Sequence, residues 1–376
     1  MIAKGREIQP GGHAVDAAEF ASLMAPLGPF GDRPAIAVAV SGGPHSLALA
    51  LLARDWVAAR GGALRALVVD HGLRADSDEE AGAVAAMLAS QGIAADILML
   101  GLPTGRRVQE RAREARLAAL LAACAASGRP WLLLGHHRGD QAETLLFRAA
   151  RGSGDLGLAA MAPVRVAAGA LILRPLLSVP AERLEAVCVA AGLRPVRDPS
   201  NEDGRFARIR LRRELQSIDR AEATEAALAA AAAGFAARRA LAEQALAARL
   251  AASAAFLPMG AVRIKRGELG ADATALAALG RLIRLVGDAR HAPAEAATRR
   301  LLAQGGGTLG RAWLRPSARD TWRLSREPAA GSPRPAGIGA TMCPSWHAVP
   351  LAGRDGLVYA APNCDCGFPP RGGAVT

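Results

Sequence analysis

The chain has 376 residues, 46 Lys plus Arg against 34 Asp plus Glu, a net charge of +12 and 51 % apolar residues. That apolar content excludes a disordered chain, and the length accommodates two or three domains of ordinary size. Alanine is the commonest apolar residue while aromatics stand at 3 %, and stretches such as Ala221 to Ala248 are interrupted by Glu and Arg and offer no membrane span of about twenty apolar residues. Lys4, Arg6 and Glu7 are followed by Gly and Pro rather than by an apolar run, which argues against a secretory signal and for the cytoplasm. Cys124, Cys188, Cys343, Cys364 and Cys366 are too scattered for a disulfide framework, and the Cys364/Cys366 pair has no second pair at metal-ligand spacing. The positive excess suits a polyanion such as RNA, because neutralised phosphates release counterions. Arginine carries nearly all of it, since Lys4 and Lys265 are the only lysines.

Residues 1–34 read as an N-terminal extension. Ala35 to Val40 then reads as a short buried strand, followed by the turn Ser41-Gly42-Gly43-Pro44-His45-Ser46 and the apolar helical run Leu47 to Val57. Leu64 to Asp70 is a β-branched run, and Asp76 and Ser77 precede a helix to Ser90 with Asp78, Glu79 and Glu80 in its first turn. Ile93 to Leu100 is a third strand, Val108 to Ala126 a helix, Trp131 to Gly135 a fourth strand and Arg138 to Arg151 a helix. Strands alternating with helices predict βαβ crossovers, and so an α/β fold with a doubly wound, mainly parallel, Rossmann-like sheet. Leu171 to Leu177 adds a strand, Ala181 to Ala191 a helix and Phe206 to Ile218 a basic helix, closing the first domain at residue 218. Residues 219–255 form an alanine-rich helical linker. A smaller, mainly helical domain is expected over 256–330, with helices at Ala273 to Val286 and Ala294 to Leu302 and a hairpin within Thr308 to Arg326. A Pro/Gly-rich tail occupies 331–376.

A glycine turn between strand and helix aims backbone N–H groups and the positive helix end at one point, where phosphate oxygens bind. Ser41 to Ser46 is such a turn, although a Gly-Gly turn before a helix is, taken alone, more often mere tight packing. It is neither a Walker A loop, since no Gly-Lys-Ser/Thr follows, nor Gly-x-Gly-x-x-Gly. Asp140 and Glu143, three apart after a strand end, share one helix face and suit the binding and deprotonation of a cationic amine; helix-dipole pairing is the bland alternative. His136 could orient substrate or shuttle a proton. Arg113 and Arg116 share a face with Gln109, and Arg208, Arg210, Arg212 and Arg213 cluster further on.

The turn resembles the Ser-Gly-Gly-x-Asp-Ser pyrophosphate loop of the N-type ATP pyrophosphatases. The order of the remaining matches is similar to that of the tRNA(Ile)-lysidine synthetases: Val69 to Arg74, Gln109 to Arg116, Gly135 to Thr144, Arg174-Pro175-Leu176 and Asp198 to Asn201. The likeness covers roughly residues 35 to 215 and reaches the later region only in general character. It implies a ligase that adenylates the wobble cytidine of a minor isoleucine tRNA at its C2 oxygen with ATP and Mg²⁺, after which free L-lysine attacks C2 and AMP leaves. By the same resemblance Ser41, Gly42, Gly43, Pro44, His45, Ser46, Asp70 and His71 bind ATP. His136, Asp140, Glu143, Arg113 and Arg208 serve the chemistry, Asp140 and Glu143 by recognising lysine. Arg212 and Arg213 bind tRNA phosphates, and the small domain contacts tRNA. No residue is assigned as a metal ligand, no membrane is involved, and a homodimer is an open expectation.

His45 stands where the family has Asp. Mg²⁺ prefers hard oxygen ligands, so imidazole is a poor replacement, and impaired Mg-ATP turnover is expected, by about 3 kcal/mol if the loss resembles that of one preorganised electrostatic contact. Ile209 also replaces a common Asn. Two alternatives follow from the same residues: a tRNA-binding relative without catalysis, and a tRNA thiolation enzyme, which would need a positioned cysteine pair.

Overall fold

The computed structural model describes residues 13–70, 72, 77–100, 108–195, 211–257 apart from 212, 216 and 219, 260–328 apart from 290, and the segments 346–350 and 358–362. The chain divides into two compact units, residues 1–237 and 238–376. The boundary falls inside one long helix, Ala221–Ser253.

The first unit is built on a six-stranded sheet. Its strands are β1 (Ala35–Val40), β2 (Ala63–Asp70), β3 (Ala95–Met99), β4 (Trp131–Leu133), β5 (Val164–Ala167) and β6 (Ala170–Leu173), in the order β3-β2-β1-β4-β6-β5. All pairings are parallel except that of β5 with β6. The helices are α1 (Ala17–Met24), α2 (Pro44–Ala58), α3 (Ser77–Ser90), α4 (Val108–Ala126), α5 (Arg138–Ala149), α6 (Asp155–Leu158) and α7 (Ala181–Ala190). Alternate residues of each strand face opposite sides. Val38, Leu133 and Leu173 join a core with α1, α2, α3 and α7, whereas Ala37, Leu132 and Ile172 join another with α4. Both faces are covered, as a parallel sheet requires.

Helix α2 is apolar almost all round because it is buried all round: Leu47 to Ala53, Trp56 and Val57 are inaccessible or nearly so. It is the most enclosed helix of the first unit, and it carries the glycine turn at its start. Helix α5 is different, burying Gln141, Glu143 and Thr144 along with Ala142 and Leu145. Gln141 is satisfied on both sides, donating to the Met161 carbonyl at 3.0 Å and accepting from the Met161 N–H at 2.8 Å. At its first residue, Arg138 reaches Glu225 of the long helix through Nε at 2.7 Å, with Glu222 at 3.6 Å.

The second unit pairs helices with more sheet than the sequence reveals. Five antiparallel strands run in the order β7 (Ala254–Phe256), β8 (Val262–Lys265), β11 (Thr321–Arg326), β10 (Ala312–Ala318), β9 (Gly307–Leu309). The expected hairpin is the β10/β11 pair, with Leu314 opposite Leu324. One sheet face packs on helices Ala273–Val286 and Glu295–Gln304 through Val262, Ile264, Leu314, Trp322 and Leu324. A two-stranded antiparallel pair, β12 (Trp346–Pro350) with β13 (Val358–Pro362), follows in the chain.

Several boundaries differ from the pattern reading for local reasons. The strand expected to reach Leu177 ends at Leu173, since Pro175 cannot donate to a ladder. Strand β5 escaped notice because its four residues include an exposed Arg165 and only two β-branched positions. Of the basic helix expected over 206–218, the described residues 211, 213–215 and 217 are helical, Ile218 is in a bend, and 206–210, 212 and 216 lie outside the described residues.

Leu133 is wholly buried at the centre of the sheet. Leu133→Ala is expected to lower unfolding free energy by about 2–5 kcal/mol with the denaturant m-value unchanged, as read from urea titration.

Candidate active site

In the strand order the chain reverses direction between β1 and β4, and at such a switch point the crevice beyond the strands' carboxyl ends is where a doubly wound fold binds ligands. The glycine turn leaves β1 there. Gly42 has φ of +79°, a left-handed conformation that L side chains rarely adopt, and Gly43 is the N-cap of α2 in an extended conformation. Pro44 occupies the first helical turn, where its missing N–H costs nothing. Ser46 ties the turn together: its hydroxyl donates to the Gly43 carbonyl at 2.9 Å and accepts from the Ser41 N–H at 3.1 Å, with the Ser41 hydroxyl 3.3 Å away. The first turn of α2 lies before the first i→i−4 bond of the helix, Leu47 N–H to the Gly43 carbonyl, so the positive helix end opens on this turn.

The neighbouring strand end contributes the second half. Gly135, just past β4, lies so close to the turn that an added Cβ would sit 3.1 Å from the His45 carbonyl and from Ser46 backbone atoms. A side chain here would have to push the backbone of the turn back by a few tenths of an ångström. His137 then caps α5, its Nδ1 accepting from the Gly139 N–H at 3.1 Å, while Asp140 Oδ2 accepts from the His137 N–H at 3.0 Å. This reciprocal capping box fixes the direction of the Asp140 carboxylate. The His137 Nε2 lies 3.7 Å from the same oxygen. Glu143, one turn further, is buried. The His45 ring meets His137 edge-on, centroids 4.1 Å apart, and so joins the turn to the cap of α5.

Around these groups the charge is mostly positive. Arg116 on α4 is half-buried, and burial followed by the neighbouring Arg113 lowers its pKa. His136 is brought down to about 4, by burial first, against the opposing effect of Asp140 and with the added repulsion of Arg174, Arg113 and Arg116. It is therefore a neutral imidazole at neutral pH. Asp70, at the carboxyl end of β2, is buried and accepts from the Gly72 N–H at 2.9 Å, which shapes the turn that follows.

Residues 14–218 match the PP-loop domain family. A tRNA(Ile)-lysidine synthase from Methylobacterium sp. (strain 4-46) is 42 % identical over 269 residues, which is 70 % of this chain and 75 % of that protein. The chain belongs to this family. Another tRNA(Ile)-lysidine synthase, from Hyphomonas neptunium, is 46 % identical over 204 residues, 52 % of this chain and 55 % of that protein, so the matched part spans little more than half of that relative's length. In solved structures, a U34-tRNA thiolase from Methanococcus maripaludis aligns with a TM-score of 0.48 at 15 % identity, over 58 % of this chain and 77 % of that one.

Family membership brings ATP use with it, and the turn at Ser41 to Ser46, Asp70, His136, Asp140, Glu143 and the α4 arginines of this tRNA(Ile)-lysidine synthase family member all lie at the same edge of the sheet. Arg213 is exposed on a helical segment before the long helix. His71, Arg208, Arg210 and Arg212 lie outside the described residues, as does the side chain of Gln109. Mg²⁺ fits less well: position 45 offers imidazole in place of an oxygen donor, and among the described residues no group of three or more His, Cys, Asp or Glu side chains is arranged to hold a metal ion. Sequence reasoning missed His137 as the cap that orients Asp140, and Gly135 as the close-approach residue; the Gly-His-His-x-x-Asp spacing carried both signals. No described helix is long and apolar enough to cross a membrane.

The depressed His136 has a consequence for stability. Between its usual 6.5 and its native value of about 4, the unfolded chain binds a proton that the folded chain refuses, so stability is complete above 6.5 and falls as pH drops through that window. The loss attributable to His136 is about 3 kcal/mol. Urea denaturation from pH 7 to pH 4 is expected to show a shallower decline in His136→Gln than in the native chain.

Proposed function

We propose that the chain is a tRNA(Ile)-lysidine synthase, joining the amine of free L-lysine to C2 of the wobble cytidine of a minor isoleucine tRNA through an adenylated intermediate. The observation that carries this reading is the junction of the diphosphate turn with the α5 acids, through Gly135 and the His45/His137 contact. In the first step the cytidine C2 oxygen attacks the α-phosphorus and pyrophosphate leaves. The N–H groups at the start of α2 and the Ser41 hydroxyl would hold that diphosphate, with Asp70 near the adenosine by the logic of adjacent strand ends. In the second step lysine arrives as an ammonium and must lose a proton. Asp140 and Glu143 would bind it and accept the proton, and AMP departs when the amine adds at C2. Arg113 would offset charge on the reacting phosphate, with Arg208 in the same role, and Arg212 and Arg213 would engage tRNA phosphates.

The second unit supports an RNA partner. Arg263, Arg323 and Arg315 stand directly opposite one another across β8, β11 and β10, and Arg315 lies over the Trp313 ring at 4.7 Å. Like charges in cross-strand register destabilise a sheet, which is compensated when a polyanion lies across them. A thiolation reading is disfavoured by the described cysteines. Cys124 and Cys188 belong to cores on opposite faces of the sheet, and burial pushes both thiols up to about 11. A catalytically silent tRNA-binding relative remains the second reading, on the strength of His45.

The test is a reaction of the purified chain with isoleucine tRNA, ATP and lysine, followed by nucleoside mass spectrometry. Lysidine and pyrophosphate are expected only when all three substrates are present, and Glu143→Gln should slow lysidine formation by about 100-fold or more. Lysine-independent, tRNA-dependent binding without any product would establish the silent relative instead. For the turn itself, calorimetric ATP affinity is expected to respond little to Mg²⁺ in the native chain and strongly in His45→Asp, with adenylation rising by about 100-fold in that variant.

A further inference from the structure

Arg174 emerges from the carboxyl end of β6, beside β4, whose end leads to His136. It is 8 % exposed, among the most deeply enclosed cations described. One arm is fixed: Nη1 donates to the Ala162 carbonyl at 2.8 Å, and its own backbone N–H donates to the Pro163 carbonyl at 2.8 Å. The segment it grips is itself held from α5, where Arg148 donates to the Gly157 and Ala160 carbonyls and Gln141 brackets Met161. Its Nε is buried without a hydrogen-bond partner among the described residues, and so is Nδ1 of His136 on the adjacent strand end. A buried guanidinium is ordinarily matched by a carboxylate or a phosphate. Here its acceptor is a neutral carbonyl, and the charges that act on it come from Arg165 and Arg113, which with burial bring it down to about 10. It stays charged at neutral pH, and among the described residues no carboxylate is paired with it.

We infer that Arg174, oriented by Ala162 and backed by His136, forms an oxyanion subsite at the carboxyl ends of β4 and β6, filled by an anionic group of the reacting complex. Two groups of that chemistry reach this edge on the ligase reading, on which the inference rests. One is the phosphate of ATP or of the adenylate, extending from the turn after β1 past β4. The other is the α-carboxylate of lysine, whose amine is gripped by the α5 acids. Either one supplies the missing negative charge and lets the fork of Arg174 bind in the bidentate manner that lysine side chains cannot reproduce.

The experiment uses the full chain and Arg174→Gln, which retains an N–H donor for the Ala162 carbonyl but no charge. Arg174→Lys serves as the charge-retaining control, and thermal unfolding confirms that both fold. Calorimetry then compares ATP with adenosine, and L-lysine with its decarboxylated analogue cadaverine. If the phosphate is the occupant, Arg174→Gln weakens ATP at least tenfold and leaves adenosine unchanged, with partial recovery in Arg174→Lys. If the carboxylate is the occupant, L-lysine weakens tenfold and cadaverine does not. A residue that merely pins Ala162 moves none of the four affinities by more than twofold in Arg174→Gln, and that result overturns the inference. A native chain that shows either binding pattern and yet makes no lysidine overturns the ligase reading alone.

Discussion

The contact on which the site depends is the close approach of two strand ends, where the Gly135 backbone lies against His45 and Ser46. An α-carbon without a side chain lets the end of β4 press against the first turn of α2. The glycine turn and the acids of α5 are thereby held beside one another at the same sheet edge. The rest of the first unit serves this approach: α2 is locked by the burial of Leu47 to Ala53, Trp56 and Val57, and α5 is locked at its start by the His137/Asp140 cap and by Arg138 on Glu225. Capping interactions of this kind contribute about 0.5–2 kcal/mol each, small beside the core but decisive for where a carboxylate points.

The electrostatics follow from the same geometry. Strands ending side by side bring Arg174, His136 and the α4 arginines into range of one another with Asp140 as the acid acting on His136, and His136 responds by remaining neutral. A site so rich in positive charge is preorganised for phosphate before any phosphate arrives. The same field explains why Asp140 does two things. Its first-turn position satisfies the helix end, the bland expectation for an acid there, and that same bond aims the carboxylate beside His137, so the capping bond also sets the direction of a group that the proposed reaction would use.

His45 is where the turn departs from the Ser-Gly-Gly-x-Asp-Ser pattern that it resembles. In place of a carboxylate there is a ring packed edge-on against His137, which links the turn to the cap of α5 through imidazoles. The link is made without an oxygen donor, so a ring stands where a carboxylate-bearing loop would present an oxygen.

Much of the first unit was legible in the chain itself. Alternation of β-branched runs with amphipathic helices specifies a parallel sheet, the glycine turn and the Gly-His-His-x-x-Asp spacing mark both halves of the site, and the order of the motifs points to the family. These are local signals, carried by residues a few positions apart. Tertiary structure decided what depends on distant neighbours: that β1 and β4 adjoin, that Gly135 is a contact rather than a turn, that Arg174 is enclosed with its Nε unpartnered among the described residues, and that three arginines of the second unit share one register. Short edge strands such as β5 and β7 were likewise invisible beforehand, because three or four residues gain their ladder from a partner and not from their own composition.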